Sequence, residues 1–245
     1  MTSVHVEWGP TGAAASIRPG GVAVVVDVLS FTTTLTVAVE RGMTVYPFRW
    51  ADVRATTYAR TRDAVLAVGR RAAHPGEVSL SPSTVLAATG VRRLVLPSPN
   101  GSSICFGLAD AGVQVVGASL RNRSAVARWL RDRPAGHDDE SPVVVVAAGE
   151  RWPDDTLRPA VEDLWGAGAV VAALADLGSV DLSVEARVAE QAFRAVADRL
   201  PTELPASTSG RELVDGGFPD DVELAAQLDA SDVVPVLADG AFTAA

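Results

Sequence analysis

Four short runs of mostly β-branched apolar residues constrain this chain more than any other feature: Val22 to Val26, Leu94 to Leu96, Val113 to Val116 and Val143 to Val146. A strand with one wet face alternates apolar and polar residues. A run that is continuous in apolar character instead needs cover on both faces, as strands inside a parallel sheet have. Each run is followed by a polar or glycine-containing turn and then by residues at helical spacing. Val161, Leu164, Trp165, Gly168, Val171, Ala172 and Ala175 predict one helix, and Val184, Val188, Ala192, Val196 and Leu200 a second, both packing on the sheet. Strands alternating with helices predict a layered α/β domain with a largely parallel or mixed sheet.

The punctuation between these elements suggests a single domain over residues 1–245. A chain of 245 residues with 48% hydrophobic content admits one or two domains, but no Ser/Gly/Pro-rich linker cuts its middle. Arg131 to Pro142, charged, aperiodic and containing His137, reads as a surface loop, and Pro201 to Pro219 as an extended crossing toward a last helix around Val222 to Leu228. No apolar run is long enough for a bilayer span, and Met1 to His5 is not a basic region leading into an apolar stretch. The single cysteine, Cys105, lies in a helical apolar pattern with Ile104 and Leu108 and is expected in the core. With no internal disulfide to form, the cytoplasm is the expected compartment.

Charge narrows the chemistry. All 21 basic residues are Arg, which excludes a P-loop lysine, a pyridoxal Schiff base and a lysine nucleophile. The net charge of −9 argues against a nucleic-acid surface. An acidic chain that handles an anion must concentrate positive charge locally, through a metal ion, a few arginines and helix N-termini. His5, His74 and His137 lack zinc-site spacing, and neither a G-x-S-x-G elbow nor a dinucleotide fingerprint is present.

Ligands of open α/β sheets collect beyond the carboxyl ends of strands, so the turns after the four runs are the candidates. In the first, Asp27 stands at a strand end with Ser30, Thr32 and Thr33 opening the next helix, as cation and phosphate ligands or as ordinary helix caps. In the second, Asn100, Gly101 and Ser102 follow two prolines and form either an anion cradle or a plain turn. The third offers Arg121 for bidentate anion contact and Asn122 as an N-cap, or two solvated side chains. The fourth runs from Ala147 through Glu150 and Arg158 to Glu162 and Asp163. The adjacent acids Glu162 and Asp163 serve a metal or the helix dipole, and Arg158 stands four residues before Glu162, at ion-pair spacing. Consecutive helical residues point about 100° apart, so one of Glu162 and Asp163 binds metal directly and the other supports it.

Taken in order, VVVDVLSFTTTL (Val24 to Leu35), LPSPNGSS (Leu96 to Ser103), GASLRNRSAVA (Gly117 to Ala127) and VAAGERWPDDTLRPAVEDLWGAGAVV (Val146 to Val171) resemble the 2-phosphosulfolactate phosphatase family. A weaker match continues around Gly210, Asp221 and Pro235. The resemblance implies a three-layer α/β/α fold, Mg²⁺ dependence and hydrolysis of 2-phosphosulfolactate to sulfolactate and phosphate, a step toward coenzyme M. It makes Asp27, Glu162 and Asp163 the catalytic carboxylates, with Glu77, in a Gly-Glu pair of the family, joining them around the metal. Ser30, Thr32, Thr33, Asn100, Gly101, Ser102, Arg121 and Asn122 would then hold a small, multiply anionic phosphoester. The chain departs from the family pattern at Ser30, where Arg often stands, and at Phe31, where Ala does. The rival expectations are a phosphatase of another small phosphorylated hydroxy acid and a non-catalytic binder of a phosphorylated metabolite. A homodimer is the default assembly. All the readings that use this site require the four turns to meet in one pocket.

Overall fold

The computed structural model describes residues 2–49, 53–133, 142–178 and 180–245. From the N-terminus run β1 (Thr2–Trp8), α1 (Gly9–Ser16), β2 (Val22–Val26), α2 (Phe31–Glu40), β3 (Thr44–Phe48), α3 (Val53–Thr61), β4 (Val65–Leu66) and α4 (Pro82–Ala87). The middle holds β5 (Arg93–Pro97), α5 (Gly101–Asp110), β6 (Gln114–Ala118), α6 (Arg123–Asp132), β7 (Val143–Ala147) and the short hairpin β8 (Glu150–Arg151) and β9 (Leu157–Arg158). Then follow α7 (Val161–Asp176), β10 (Val180–Leu182), α8 (Val184–Arg194), α9 (Leu200–Ala206), α10 (Thr208–Asp215), α11 (Pro219–Ala225), β11 (Pro235–Ala238) and β12 (Ala241–Ala244).

Ten strands form one mixed sheet in the order β10-β1-β7-β2-β6-β11-β12-β3-β5-β4. The strands from β10 to β6 are parallel neighbours, as are β3, β5 and β4. Antiparallel pairing is confined to β11 and β12, which join the two parallel groups, β12 meeting β3 through the single pair Phe242 and Val45.

The valine runs behave as double-sided strands. Along β2, Val22, Val24 and Val26 enter a core built with α6, α7, α8, α9 and α11, whereas Ala23 and Val25 enter a second core with α1, α2, α4 and α5. Val143, Val145 and Ala147 of β7 divide from Val144 and Val146 in the same way. Helices on both faces of a mostly parallel sheet give the three-layer α/β/α architecture. No helix among the described residues is long and apolar enough to cross a membrane.

Several local expectations change. Residues 201–219 are helical rather than extended, because their Ser and Pro residues start helices. Ser207 Oγ accepts the Gly210 N–H at the start of α10, and α9 and α11 carry Pro in their first turns. The second predicted helix forms as α8 but ends at Arg194 and buries Ala186, Ala189 and Phe193, leaving Val184 and Val188 exposed. Ala189 and Phe193 lie inward against Gly168 of α7, where the missing side chain lets the two helices approach closely. Of the predicted loop from Arg131 to Pro142, residues 134–141, including His137, lie outside the described residues, and Arg131 and Asp132 belong to α6.

The α7–α8 contact can be tested at Gly168, where a Cβ would stand 1.9 Å from the Ala189 carbonyl oxygen. Backbone cannot yield as a side-chain tip does. Gly168→Ala should therefore force the helices apart and lower stability by about 1–3 kcal/mol in urea unfolding. An unchanged midpoint would contradict this packing.

Candidate active site

Three strand ends are drawn together by two buried carboxylates. Asp27, immediately after β2, is 6% exposed. Its Oδ1 accepts the Phe31 N–H at 3.0 Å, fixing the start of α2, and its Oδ2 accepts the Gly101 N–H at 3.1 Å, fixing the start of α5. Thr32 locks the same turn, since its Oγ1 accepts from Asp27 N and donates to Asp27 O. Asp163, in the first turn of α7, accepts Val28 N–H at 2.7 Å and Gly149 N–H at 2.8 Å, one on each oxygen. It thereby ties the turn after β2 to the turn after β7.

The neighbouring acids are differently placed. Glu162 is 2% exposed, and its carboxylate has no hydrogen-bond partner among the described residues. Glu150, at the start of β8, accepts from Asn100 Nδ2 at 2.9 Å, and Asn100 Oδ1 accepts from Arg151 Nε. Asn100 is thus occupied and does not cap α5. With the Gly101 N–H taken by Asp27, the remaining first-turn N–H groups of that helix are the ones an anion could meet.

Burial and mutual repulsion push the carboxyls of Asp27, Glu150 and Asp163 up. Asp27 is raised to about 6, chiefly by loss of water and further by the Glu162 charge, against the pull of the Phe31 and Gly101 amides and of Arg70. Glu150 is raised to about 7 by burial and by the charges of Asp27 and Glu162, with Asn100 opposing. Asp163 is also raised well above the usual carboxylate range, by burial and the same neighbours. Such an uncompensated set of hard oxygen donors suits a small divalent cation. Among the described residues no three His, Cys, Asp or Glu side chains already form a metal-holding group. Mg²⁺ does not require one, because it keeps several waters and takes one or two carboxylates plus substrate oxygens. The donor set therefore fits Mg²⁺, with Glu162 offering the unengaged carboxylate.

Not every predicted residue joins this cluster. Arg121 is buried, but its guanidinium donates to Leu224 O, Gln227 Oε1 and Glu40 Oε2, and its Nε has no partner. Glu40 closes the far end of α2, about 15 Å along the axis from Ser30. Arg121 therefore holds helix ends together and makes no hydrogen bond to the clustered acids. Asn122 is consumed by Ser119 N, Gly117 O and Val233 O. Glu77 is exposed and accepts from His74 N in its own turn, with no hydrogen bond to the other acids. The hydroxyls of Thr33 and Ser102 donate to Val28 O and Leu96 O, so what their turns offer a ligand is backbone N–H, not hydroxyl. Arg158 pairs with Glu212 rather than with Glu162.

Beside the acids opens a cleft of about 460 Å³ lined by Leu29, Arg70, Arg71, Glu150, Ser209 and Phe218, among others. Arg70 donates to Ser30 Oγ and, at 2.9 Å, to Asp221 Oδ2. Neither Arg70 nor a role for Glu150 emerges from the sequence. Arg70 lies in an unremarkable Gly-Arg-Arg-Ala stretch, whereas Glu150 follows a strand-end glycine, a signal that the search for strand-end turns does contain.

Strand ends meeting in this manner place the molecule among the α/β/α proteins that gather a ligand at the carboxyl edge of the sheet. More narrowly, the chain belongs to the 2-phosphosulpholactate phosphatase family, whose model matches residues 10–240. It is similar to a Deinococcus radiodurans protein named "Probable 2-phosphosulfolactate phosphatase", 32% identical over 224 residues, 89% of this chain and 88% of the relative. A Thermus thermophilus protein of the same name is 32% identical over 220 residues, 88% of this chain and 87% of the relative. The Methanothermobacter thermautotrophicus "2-phosphosulfolactate phosphatase" is 31% identical over 223 residues, 90% of this chain and 88% of the relative.

Two outcomes follow from the clustered acids. Because Asp27 and Glu150 hold protons in the folded state that the unfolded chain has released, their stabilisation is complete below about pH 4 and is lost as pH rises to about 7. Metal-free protein should lose on the order of 3 kcal/mol over that window in urea unfolding, and Mg²⁺ should restore it at neutral pH. Stability that rose across the window would contradict the electrostatics. At Gly101, a Cβ would stand 2.3 Å from Phe31 Cδ1 and 2.8 Å from Asp27 Oδ2. Gly101→Ala should lower the melting temperature and shift Asp27 from its place, with a cost of about 1–3 kcal/mol.

Proposed function

We propose that this protein is a Mg²⁺-dependent phosphoric monoester hydrolase that converts 2-phosphosulfolactate to sulfolactate and phosphate. The supporting observation is the position of Glu162, a buried carboxylate without a hydrogen-bond partner among the described residues, near Asp27, whose Oδ2 holds the start of α5. Family membership and the printed names of the relatives support the substrate.

Glu162, with Asp27 beside it, would hold the cation. Bound there, Mg²⁺ would supply positive charge to the phosphoryl oxygens. The protein's own groups do the rest. The first-turn amides of α5 beyond Gly101 would face the charge that grows on the phosphoryl oxygens, and they need no reorganisation because Asp27 holds the Gly101 N–H. Asp163 holds the Val28 and Gly149 amides, so the carboxylates keep their separation whether or not substrate is present. Asn100 orients Glu150 toward the cleft.

Glu162→Gln tests this best. The substitution preserves shape and breaks no hydrogen bond, whereas Asp27→Asn would set an amide N–H against the Phe31 or Gly101 N–H. Glu162→Gln should lower Mg²⁺-dependent phosphate release from 2-phosphosulfolactate by about 10³-fold or more, with unchanged or raised melting temperature. A panel of phosphorylated C3 acids assayed in parallel, with and without a chelator, identifies the substrate. Parental turnover by Glu162→Gln, or turnover indifferent to the chelator, would overturn the assignment, and saturable binding without turnover would indicate a metabolite-binding protein.

A further inference from the structure

The wall of the cleft carries a cation whose orientation is fixed from behind. Arg70 sits on a single 3-10 turn, Arg70–Ala72, and donates Nε–H to Asp221 Oδ2 at 2.9 Å and an Nη2–H to Ser30 Oγ. Asp221 is fully buried, and its other oxygen accepts from the hydroxyls of Ser81 and Ser83, the latter at 2.9 Å. Of the five N–H groups of a guanidinium, two are used in this way. Arg70 Nη1 makes no hydrogen bond to any described residue, and the side chain lines the cleft.

A buried carboxylate bonded by one arginine and two serines specifies the plane of the guanidinium. It leaves one edge of the fork for a second anion. That anion is not the reacting phosphoryl group, whose place is set by Glu162, Asp27 and the α5 N-terminus. Arg70 comes from a different element and reaches the site through Ser30, beside that place. Nor is the free edge needed within the fold, because the neighbouring cleft carboxylate Glu212 is already paired with Arg158 through two hydrogen bonds.

We propose that Arg70 receives the non-reacting acid group of the substrate, a carboxylate or sulfonate, and that Asp221 is the residue that positions it. This inference rests on the phosphatase reading of the cleft and adds to it a requirement: the substrate is a phosphomonoester with a second anionic group a few bonds from the ester oxygen. Arg70 is then the determinant that separates acid-bearing phosphoesters from simple ones. Arg71, which also lines the cleft, is exposed and lacks a carboxylate to fix it.

The experiment compares parental protein with Arg70→Gln, Arg70→Lys and Asp221→Asn on two substrates with Mg²⁺ present: 2-phosphosulfolactate, and phenyl phosphate, which has no second acid. Sulfolactate binding is measured alongside by calorimetry. Arg70→Gln should reduce the ratio of the two kcat/KM values by about 100-fold, mainly through KM for the acid-bearing substrate, and weaken sulfolactate by at least about tenfold. Arg70→Lys should recover only part, because an ammonium cannot present two parallel donors. Asp221→Asn should shift the same ratio in the same direction, whereas a merely structural role would lower both rates in parallel together with the melting temperature. An unchanged ratio in Arg70→Gln, or equal loss on both substrates, would overturn the proposal. If the parental protein hydrolyses neither compound, the phosphatase reading fails, and the titration decides alone. Sulfolactate bound by the parent and lost in Arg70→Gln upholds Arg70 as an acid receptor; equal binding, or none by the parent, overturns it.

Discussion

Asp163 is the point on which the site turns. Its two oxygens take the Val28 and Gly149 amides, so the ends of two neighbouring strands, β2 and β7, are fastened to the first turn of α7. Asp27 repeats the device one step outward, linking β2 to the start of α5. Hydrogen bonds to an ionised acceptor are stronger than neutral ones and offset part of the loss of hydration. Without either acid, two buried N–H groups would lose their acceptors, at about 1–3 kcal/mol each. Three turns from distant parts of the sequence therefore behave as one rigid unit, as a site made for positioning requires.

This fastening creates an electrostatic conflict that the protein does not resolve by itself. Asp27, Glu150, Glu162 and Asp163 act on one another, and three of them hold their protons well past the usual carboxylate range. Arg70 eases Asp27, and Arg158 eases Glu150, but Arg158 is also committed to Glu212. Near neutral pH, the cluster either retains protons or accepts a cation. On the proposed reading a cation would settle the conflict, since it would also neutralise the incoming phosphoester.

How much of this can be read from the sequence depends on the range of the deciding interaction. The valine runs identify double-sided strands because the environment of a strand is written in its own residues, and β2, β5, β6 and β7 lie within a residue or so of their expected bounds. Asp27, Gly101, Glu162 and Asp163 are legible for a similar reason: the strand-end rule selects their turns. Arg121 and Arg70 show where such reading stops. Each is an arginine near a helical turn, and what separates them is partners 81 to 151 residues away in the chain: Glu40 for Arg121, and Asp221 for Arg70. The C-terminal third fails differently, because Ser and Pro mark turns and helix starts alike, and only the following residues in space decide which. On α8, the β-branched stripe of Val184 and Val188 predicts a buried face, but the side turned to Gly168 of α7 carries Ala189 and Phe193.

The distribution of charge explains how a chain of net charge −9 can still select an anion. Many of its arginines are spent in exposed pairs such as Arg93–Asp63, Arg128–Asp232 and Arg199–Glu203, each worth about 0–1 kcal/mol and giving no net field at the cleft. The global charge repels an approaching anion, but that repulsion is screened beyond about 8 Å at physiological ionic strength. Within that range, on the proposed reading, local sources would take over: the first turn of α5 and the fixed fork of Arg70. Recognition is thereby confined to the last few ångströms, where geometry distinguishes one polyanion from another. A diffuse basic surface would attract them all alike.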